Sequence, residues 1–161
     1  MINTKRLVIS SLNKNDKEDL IRLFEDDEVW KYLGGTPSTP YVCIDNWLSQ
    51  QTPFLYYALR KKDNNDFVGI ISIRPHHNRP YYELSYYLLT DFWGNGYAAE
   101  AIKPLLINAF NKLNINHIIA QTQSANKSSC KLLQKLGFKH TETFIEFNAE
   151  QTLWSMSDCP E

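Results

Sequence analysis

The stretch Asp91–Ala101, DFWGNGYAAEA, sets two glycines one residue apart directly ahead of a long apolar-periodic segment. Apolar residues recur at 98, 101, 102, 105, 106, 109, 110 and 113, the spacing of a helix packed on a sheet. Gly94-Asn95-Gly96-Tyr97-Ala98-Ala99 also fits the G-x-G-x-x-G/A form of a dinucleotide-binding turn. Such a turn usually opens a βαβ unit and is followed, about 20 residues on, by an acid that holds a ribose. Here three antiparallel-type strand segments precede it, and the next strand ends in Gln121, Thr122 and Gln123, without a carboxylate. A nicotinamide or flavin site therefore lacks its context. Two readings of the turn stay open: a phosphate cradle made from unpaired helix-start N–H groups, and a tight strand-to-helix turn using glycine for conformation alone.

The 161 residues are read as one domain, 1–161, with ordinary globular composition: 43% hydrophobic and 22% charged. A net charge of -1 argues against nucleic acid as a partner. The longest clean apolar runs, such as Val68–Ile71, are strand-sized, so no membrane association is expected. Cys43, Cys130 and Cys159 are odd in number, with no C-x-x-C spacing, which suits free thiols in a reducing cytoplasm and no metal.

Along the chain, Arg6–Leu12 reads as a strand, and Asn15 or Asp16 as the cap of a helix reaching about Glu25. Val29–Leu33 reads as a helical turn stopped by Gly34-Gly35, Thr36–Pro40 as a loop, and Val42–Gln51 as a helix. Phe54–Arg60, Phe67–Arg74 and Tyr81–Leu89 form an antiparallel meander with turns at Lys61–Asp66 and His76–Pro80. The glycine turn then opens a helix from about Asn95 to Leu113, with Pro104 expected to kink or loosen it. Ile118–Thr122 is the next strand and Asn126–Leu136 the next helix, stopped by Gly137 with Phe138 folding back on Leu133. Phe144–Phe147 and Thr152–Met156 make a last hairpin. This order predicts an α+β fold, layered α/β/α, with a mixed, mostly antiparallel sheet between helices.

A second motif repeats the strand-then-helix arrangement: Asn126-Lys-Ser-Ser129 leading to Gly137-Phe138. Together the two motifs resemble the GNAT superfamily of acyl-CoA-dependent N-acyltransferases, through its R/Q-x-x-G-x-G/A pyrophosphate loop and its N-x-x-S/A…G-F helix. The run W-G-N-G-Y-A-A-E-A and the early T-K-R-L are most similar to the RimJ/RimL branch. The resemblance extends from Thr4 to Trp154.

It implies that acetyl-CoA is the cosubstrate, lying where Tyr81–Leu89 splays from Ile118–Thr122. The pantetheine would pair near Tyr87, Leu88 and Leu89. The pyrophosphate would sit on the N–H groups of Trp93, Gly94, Asn95, Gly96, Tyr97 and Ala98, and Asn126 would lie near the thioester while also serving as a helix cap. An amine that is protonated at neutral pH needs a base before it can attack, and Glu83 on the cleft strand is the candidate. An oxyanion donor is expected at Leu88 or its neighbour. The tyrosine acid that many relatives carry seven residues after the helix Asn is Leu133 here, leaving Ser129 as the proton donor to the thiolate. Asp91 stands where many relatives have Gln or Arg, which leaves phosphate binding to the backbone, and Glu100 reads as structural. Trp30 and Tyr32 fall in the region that covers the acceptor in relatives, where core packing explains aromatics equally well.

Simpler explanations cover the remaining residues. His76 and His77 are adjacent in a turn and expected to point apart, against a metal clamp. Cys130 reads as a buried thiol and Glu25–Glu28 as a solvated helix end. The expected activity is acetyl transfer to a primary amine, of a protein N-terminus or a small molecule. A non-catalytic acyl-CoA-binding module on the same fold is the alternative. Oligomeric state stays open, a dimer included.

Overall fold

The computed structural model describes residues 1–49 and 55–160. The chain begins with β1 (Ile2–Asn3) and β2 (Leu7–Ser11), then α1 (Lys17–Glu25), α2 (Asp27–Trp30) and α3 (Pro40–Ser49). The meander is β3 (Leu55–Lys61), β4 (Phe67–Pro75) and β5 (Tyr82–Leu88). After it come α4 (Tyr97–Lys112), β6 (Ile118–Gln123), α5 (Lys127–Lys135), β7 (Lys139–Glu146) and β8 (Ala149–Met156). Among the described residues these strands form one 8-stranded sheet in the order β1-β2-β3-β4-β5-β6-β8-β7. Every neighbouring pair is antiparallel except β5–β6.

The alternation of side chains along the strands sorts the interior into two layers. On one face Ala101, Ile102, Leu105, Leu106 and Ala109 of α4 pack with Leu7, Ile71, Ile73 and Leu84, and Leu133 and Phe138 extend this core beneath α5. On the other face Leu20, Leu23, Phe24, Trp30 and Ile44 of α1–α3 pack on Tyr56, Ala58 and Ile70. Arg60 pins α1 to β3 by pairing with Asp16 at 2.8 Å and Asp19 at 2.5 Å.

Several boundaries differ from the sequence reading for identifiable reasons. A short 3-10 turn, Lys14–Asp16, precedes α1 and is capped by Asn13, whose side chain accepts from Asn15 N–H while Asp16 accepts from Asn13 N–H. Asp16, one of the two expected residues, holds the N-cap position of α1, but its side chain makes no capping bond to that helix and is buried against Arg60. Helix α3 starts at Pro40, because a proline fits the first helical position, where its missing N–H costs nothing. The expected end of that helix at Gln51 and start of the next strand at Phe54 lie outside the described residues. β7 starts at Lys139, five residues before the predicted hairpin strand; its mostly exposed sequence KHTETFIE has no clear apolar alternation. Phe147 and Asn148 both have positive φ and form the hairpin turn, so Phe147 is not in the strand. Helix α4 runs unbroken through Pro104. The stop after α5 is as expected: Gly137 is left-handed at φ 95 and Phe138 N–H donates to Leu133 O at 3.0 Å.

Candidate active site

The sheet opens between its two parallel strands. β5 and β6 pair only at Tyr82↔Ile118 and Glu83↔Ile119, and no pairing continues beyond them. The gap widens into a cleft of about 890 Å³ that is lined from β5, β6, the glycine turn, the start of α5 and the α2 end.

The backbone edge facing the gap follows from strand alternation. Leu89 N–H donates to Val68 O at 3.0 Å, so this N–H and the N–H and C=O of Tyr87 point toward β4, while Leu89 O accepts from Phe92 N–H at 3.0 Å. Those of Tyr86 and Leu88 then point into the gap. Leu88 O accepts from Trp93 Nε1 at 2.8 Å, on that same edge. Of Tyr87, Leu88 and Leu89, only Leu88 therefore presents its backbone to the cleft. Tyr86 joins it, and Leu89 is buried in the core.

At the far end Gly96 adopts the left-handed conformation, φ 77, that lets the chain turn straight into α4. None of the backbone N–H groups from Gly94 to Ala99 donates to a described residue. Trp93 is the exception in the predicted cradle, since its N–H donates to Thr90 O at 3.1 Å. A side chain at Gly94 would meet nothing within 4 Å, so the backbone there is open to a ligand. This concave set of donors at a helix start fits a pyrophosphate. It is held from outside: Arg6 donates to Asn95 O at 2.9 Å and to Glu100 at 2.7 Å, and stacks over Tyr97 at 4.3 Å. The Asn95 side chain donates to Trp93 O at 2.9 Å. Asp91 is exposed and does not line the cleft.

In the middle of the cleft Asn126 caps α5, its Oδ1 accepting from Ser129 N–H at 3.2 Å. Ser129 Oγ lies 2.5 Å from the Tyr86 hydroxyl. Burial pushes the Tyr86 hydroxyl up to about 12 although the Ser129 bond pulls the other way. Tyr86 was not singled out from the sequence. The signal that would have found it is its place within Glu83-Leu-Ser-Tyr86, three residues after the candidate base.

On the opposite face of β5 stand Glu83, Ser85 and Tyr87. Glu83 is 8% exposed, lines the cleft, and pairs with Arg74 Nη2 at 3.3 Å. Arg74 is its direct cross-strand neighbour, and sequence reasoning missed it. Tyr32 lines the cleft at its α2 end. Trp30 does not: it is 5% exposed, stacks on Tyr87 at 5.5 Å, and its Nε1 donates to Leu23 O, which makes it core. Asp26, read as part of a solvated helix end, ties that corner to the cleft by accepting from Thr90 N–H and Oγ1 at 3.0 and 2.8 Å.

His76 and His77 do not point apart. Their ring centroids are 4.1 Å apart, with His76 meeting Gln121 and His77 meeting Glu146. Among the described residues no group of three or more His, Cys, Asp or Glu could hold a metal ion. Cys130 is partly buried, and burial raises its thiol away from the thiolate form. No described helix is long and apolar enough to cross a membrane.

Residues 6–139 match the family model described as acetyltransferase (GNAT) domain. The chain is 30% identical to the N-acetyltransferase p20 of Bacillus licheniformis over 84% of its own length and 80% of that protein. It superposes on a GNAT-family acetyltransferase from Bacillus anthracis with TM-score 0.83, at 21% identity and 97% coverage of both chains. A spermidine N-acetyltransferase from Vibrio cholerae, solved with CoA and spermine, gives TM-score 0.79 at 15% identity, covering 93% of this chain and 94% of that one. With the split parallel pair, the helix-start cradle and these matches in agreement, the chain belongs to the GNAT family of acetyltransferases.

Proposed function

We propose that the protein transfers an acetyl group from acetyl-CoA to a primary amine by direct attack, and that it is of the RimJ/RimL type. The observation that carries this reading is the gap beyond Glu83↔Ile119. It has unpaired N–H groups at Gly94–Ala99 at one end and the Tyr86–Ser129 pair midway. Acetyl-CoA supplies an acetyl thioester, whose C–S bond breaks as the amine nitrogen bonds the acetyl carbon.

The chain's own residues divide the remaining work. The N–H groups from Gly94 to Ala98 hold the pyrophosphate, with the α4 dipole contributing roughly 0.3–1 kcal/mol per charge. The cleft-facing N–H and C=O of Tyr86 pair with the pantetheine as an added strand that runs past Leu88, and Asn126 flanks the thioester. Leu88 N–H faces the charge that develops on the carbonyl oxygen. Glu83 takes the proton that the acceptor ammonium must lose. Ser129 gives a proton to the departing sulfur. Tyr86, kept neutral by burial, donates to Ser129 Oγ and so leaves the serine proton directed into the cleft. Tyr32 borders the acceptor. Unpaired Cys43, Cys130 and Cys159 suit a cytoplasmic enzyme.

Two measurements test the proposal. Gly96→Glu places charge and bulk in the cradle and is expected to abolish acetyl-CoA binding by calorimetry; unchanged affinity removes the site assignment. Release of free CoA thiol in the presence of a panel of amines tests the chemistry. Tight binding of acetyl-CoA with no thiol released by any amine would make the chain a non-catalytic member of its family.

A further inference from the structure

The floor of the acceptor side is a charged pair with spare bonding capacity. Arg74 and Glu83 face each other across β4 and β5, and both line the cleft. Their side chains are 35% and 10% exposed, and they meet through a single Nη2–Oε2 approach at 3.3 Å. A well-formed guanidinium–carboxylate bond is about 2.7–2.9 Å and often bidentate. Neither side chain makes a hydrogen bond to another described residue. A guanidinium carries five donors and a carboxylate roughly four acceptor sites, so most of this capacity is open to solvent or to a ligand in the cleft.

The surroundings are polar in a place where they have little reason to be. Ser72 and Ser85 form the next cross-strand pair on the same face, and Ser72 Oγ is buried with no hydrogen-bond partner among the described residues. Tyr56 stands opposite Ser72 on β3 and Tyr87 follows Ser85 along the same face of β5, and the charges of Arg74 and Glu83 both bear on their hydroxyls. Glu83 is also the last β5 residue paired to β6, so the charged pair stands where the cleft begins. Strand alternation puts it on the sheet face opposite Tyr86 and Ser129. A donor on the α5 side and an acceptor on the α1–α3 side would thus meet through the split in the sheet.

Charge balance then selects the acceptor. Two of the cations that line the cleft, Lys127 and Lys135, belong to α5 on the donor side; on the acceptor side Glu28 and Glu83 stand against Lys31 and Arg74, which cancel. A polyamine would set a second cation beside the half-buried Arg74, and a simple anion would be set beside Glu83; like charges in such a site oppose binding. A molecule that carries one ammonium and one oxyanion a few bonds apart meets both partners with opposite charge. Resting on the acetyltransferase reading above, we propose that the acceptor is an amino acid or similar primary amine bearing a carboxylate. Its nitrogen lies against Glu83 and its carboxylate is held by Arg74, which acts as the specificity residue.

The test uses matched acceptors that differ only in the carboxylate: tyrosine with tyramine, phenylalanine with phenethylamine, lysine with cadaverine, and spermidine beside them. Thiol release from acetyl-CoA is expected to favour the carboxylate-bearing member by at least ~10-fold in kcat/KM, the scale of one buried charged contact. Arg74→Met is expected to erase that preference by raising KM for the amino acid far more than KM for the decarboxylated amine, whatever change in kcat the two share through Glu83. Arg74→Lys keeps the charge without the planar fork and should retain part of the preference. Calorimetric binding of the amino acid should be lost in Arg74→Met while acetyl-CoA binding is kept, which also shows that the variant is folded. Equal or better use of the decarboxylated amines or spermidine overturns the inference, as does an equal loss on both members of each pair in Arg74→Met. If no amine at all releases thiol, the acetyltransferase reading falls with it.

Discussion

The Tyr86 hydroxyl on β5 and Ser129 Oγ on α5 lie 2.5 Å apart, bridging the two elements across the cleft. Tyr86 has one proton, and if it donates to Ser129 the serine proton is free to point elsewhere. Ser129→Ala is expected to lower kcat by roughly 10–100-fold, within the range for a positioned proton donor, with acetyl-CoA affinity little changed. Tyr86→Phe should cost less on its own, and nothing further when added to Ser129→Ala, because it acts through that serine. Steady-state kinetics on the two single variants and the double variant decides this; additive losses would separate the two residues.

The same tyrosine makes the fold sensitive to alkali. Burial holds its proton up to about 12, against 10.0 for an exposed tyrosine. Below pH 10 both folded and unfolded chains keep the proton, and stability is unaffected. As pH rises through that range the unfolded chain releases it first, so unfolding free energy falls, by about 2–3 kcal/mol over the interval. Tyr56, Tyr57 and Tyr87 are raised by burial as well and add to the trend. Urea titrations at several alkaline pH values should show a smaller fall in Tyr86→Phe than in wild type; an identical fall would mean that Tyr86 is solvated.

Glu100 supports the pyrophosphate loop indirectly. Burial alone would raise its carboxyl, but hydrogen bonds from Thr4 Oγ1 at 2.6 Å, Arg6 N–H at 2.7 Å and the Arg6 side chain outweigh this and lower it. A lowered carboxyl contributes stability above its unfolded value that is lost as pH falls toward the folded one. Glu100→Gln should therefore reduce stability at neutral pH by about 1–2 kcal/mol and flatten the acid limb of the stability curve. Since Arg6 also holds Asn95 O, acetyl-CoA affinity should fall as well. A full-strength binding isotherm in a destabilised Glu100→Gln protein would uncouple Arg6 from the cradle.

Much of this site was legible because its chemistry is local. Gly94, Gly96 and the α4 periodicity lie within one stretch, and Asn126, Ser129 and Gly137 within another, so motif and geometry coincide. What the sequence did not disclose depends on register. Arg74 meets Glu83 and Tyr86 meets Ser129 only because β4, β5 and α5 align as they do. Leu89 N–H is taken by Val68 O for the same reason, since which backbone edge faces the gap alternates with each residue. Trp30 was undecidable from sequence because a core aromatic and a pocket aromatic share the same spacing; its burial against Tyr87 and Leu23 settles it.

Glu83 offers a direct test of the base. Glu83→Gln removes its charge and basicity while keeping its shape, and Arg74 remains beside it. Turnover should fall by about 100-fold or more, with acetyl-CoA affinity nearly unchanged, since general-base contributions run to 10²–10⁴. The acid limb of the kcat/KM–pH profile should disappear with it. An unaltered profile would leave the proton to solvent and Glu83 to acceptor binding alone.

Gly69 sets the position of the strand that carries all of these groups. It sits opposite Leu88, and a Cβ added there would meet Tyr87 O at 2.2 Å and Leu88 Cα at 2.7 Å. Both obstacles are backbone, so no side chain can swing aside, and φ of +153 is unfavourable for any residue with a Cβ. Gly69→Ala must push β5 toward the cleft or break its pairing with β4. The expected cost is about 1–3 kcal/mol, which for a domain of this size lowers Tm by roughly 2–4 °C per kcal/mol. The displaced groups include Leu88 N–H and the neighbouring edge of Tyr86, so KM for acetyl-CoA should rise even at temperatures where the variant is fully folded. Unchanged Tm and unchanged KM together would show that β5 does not need the close approach at Gly69 to shape the cleft.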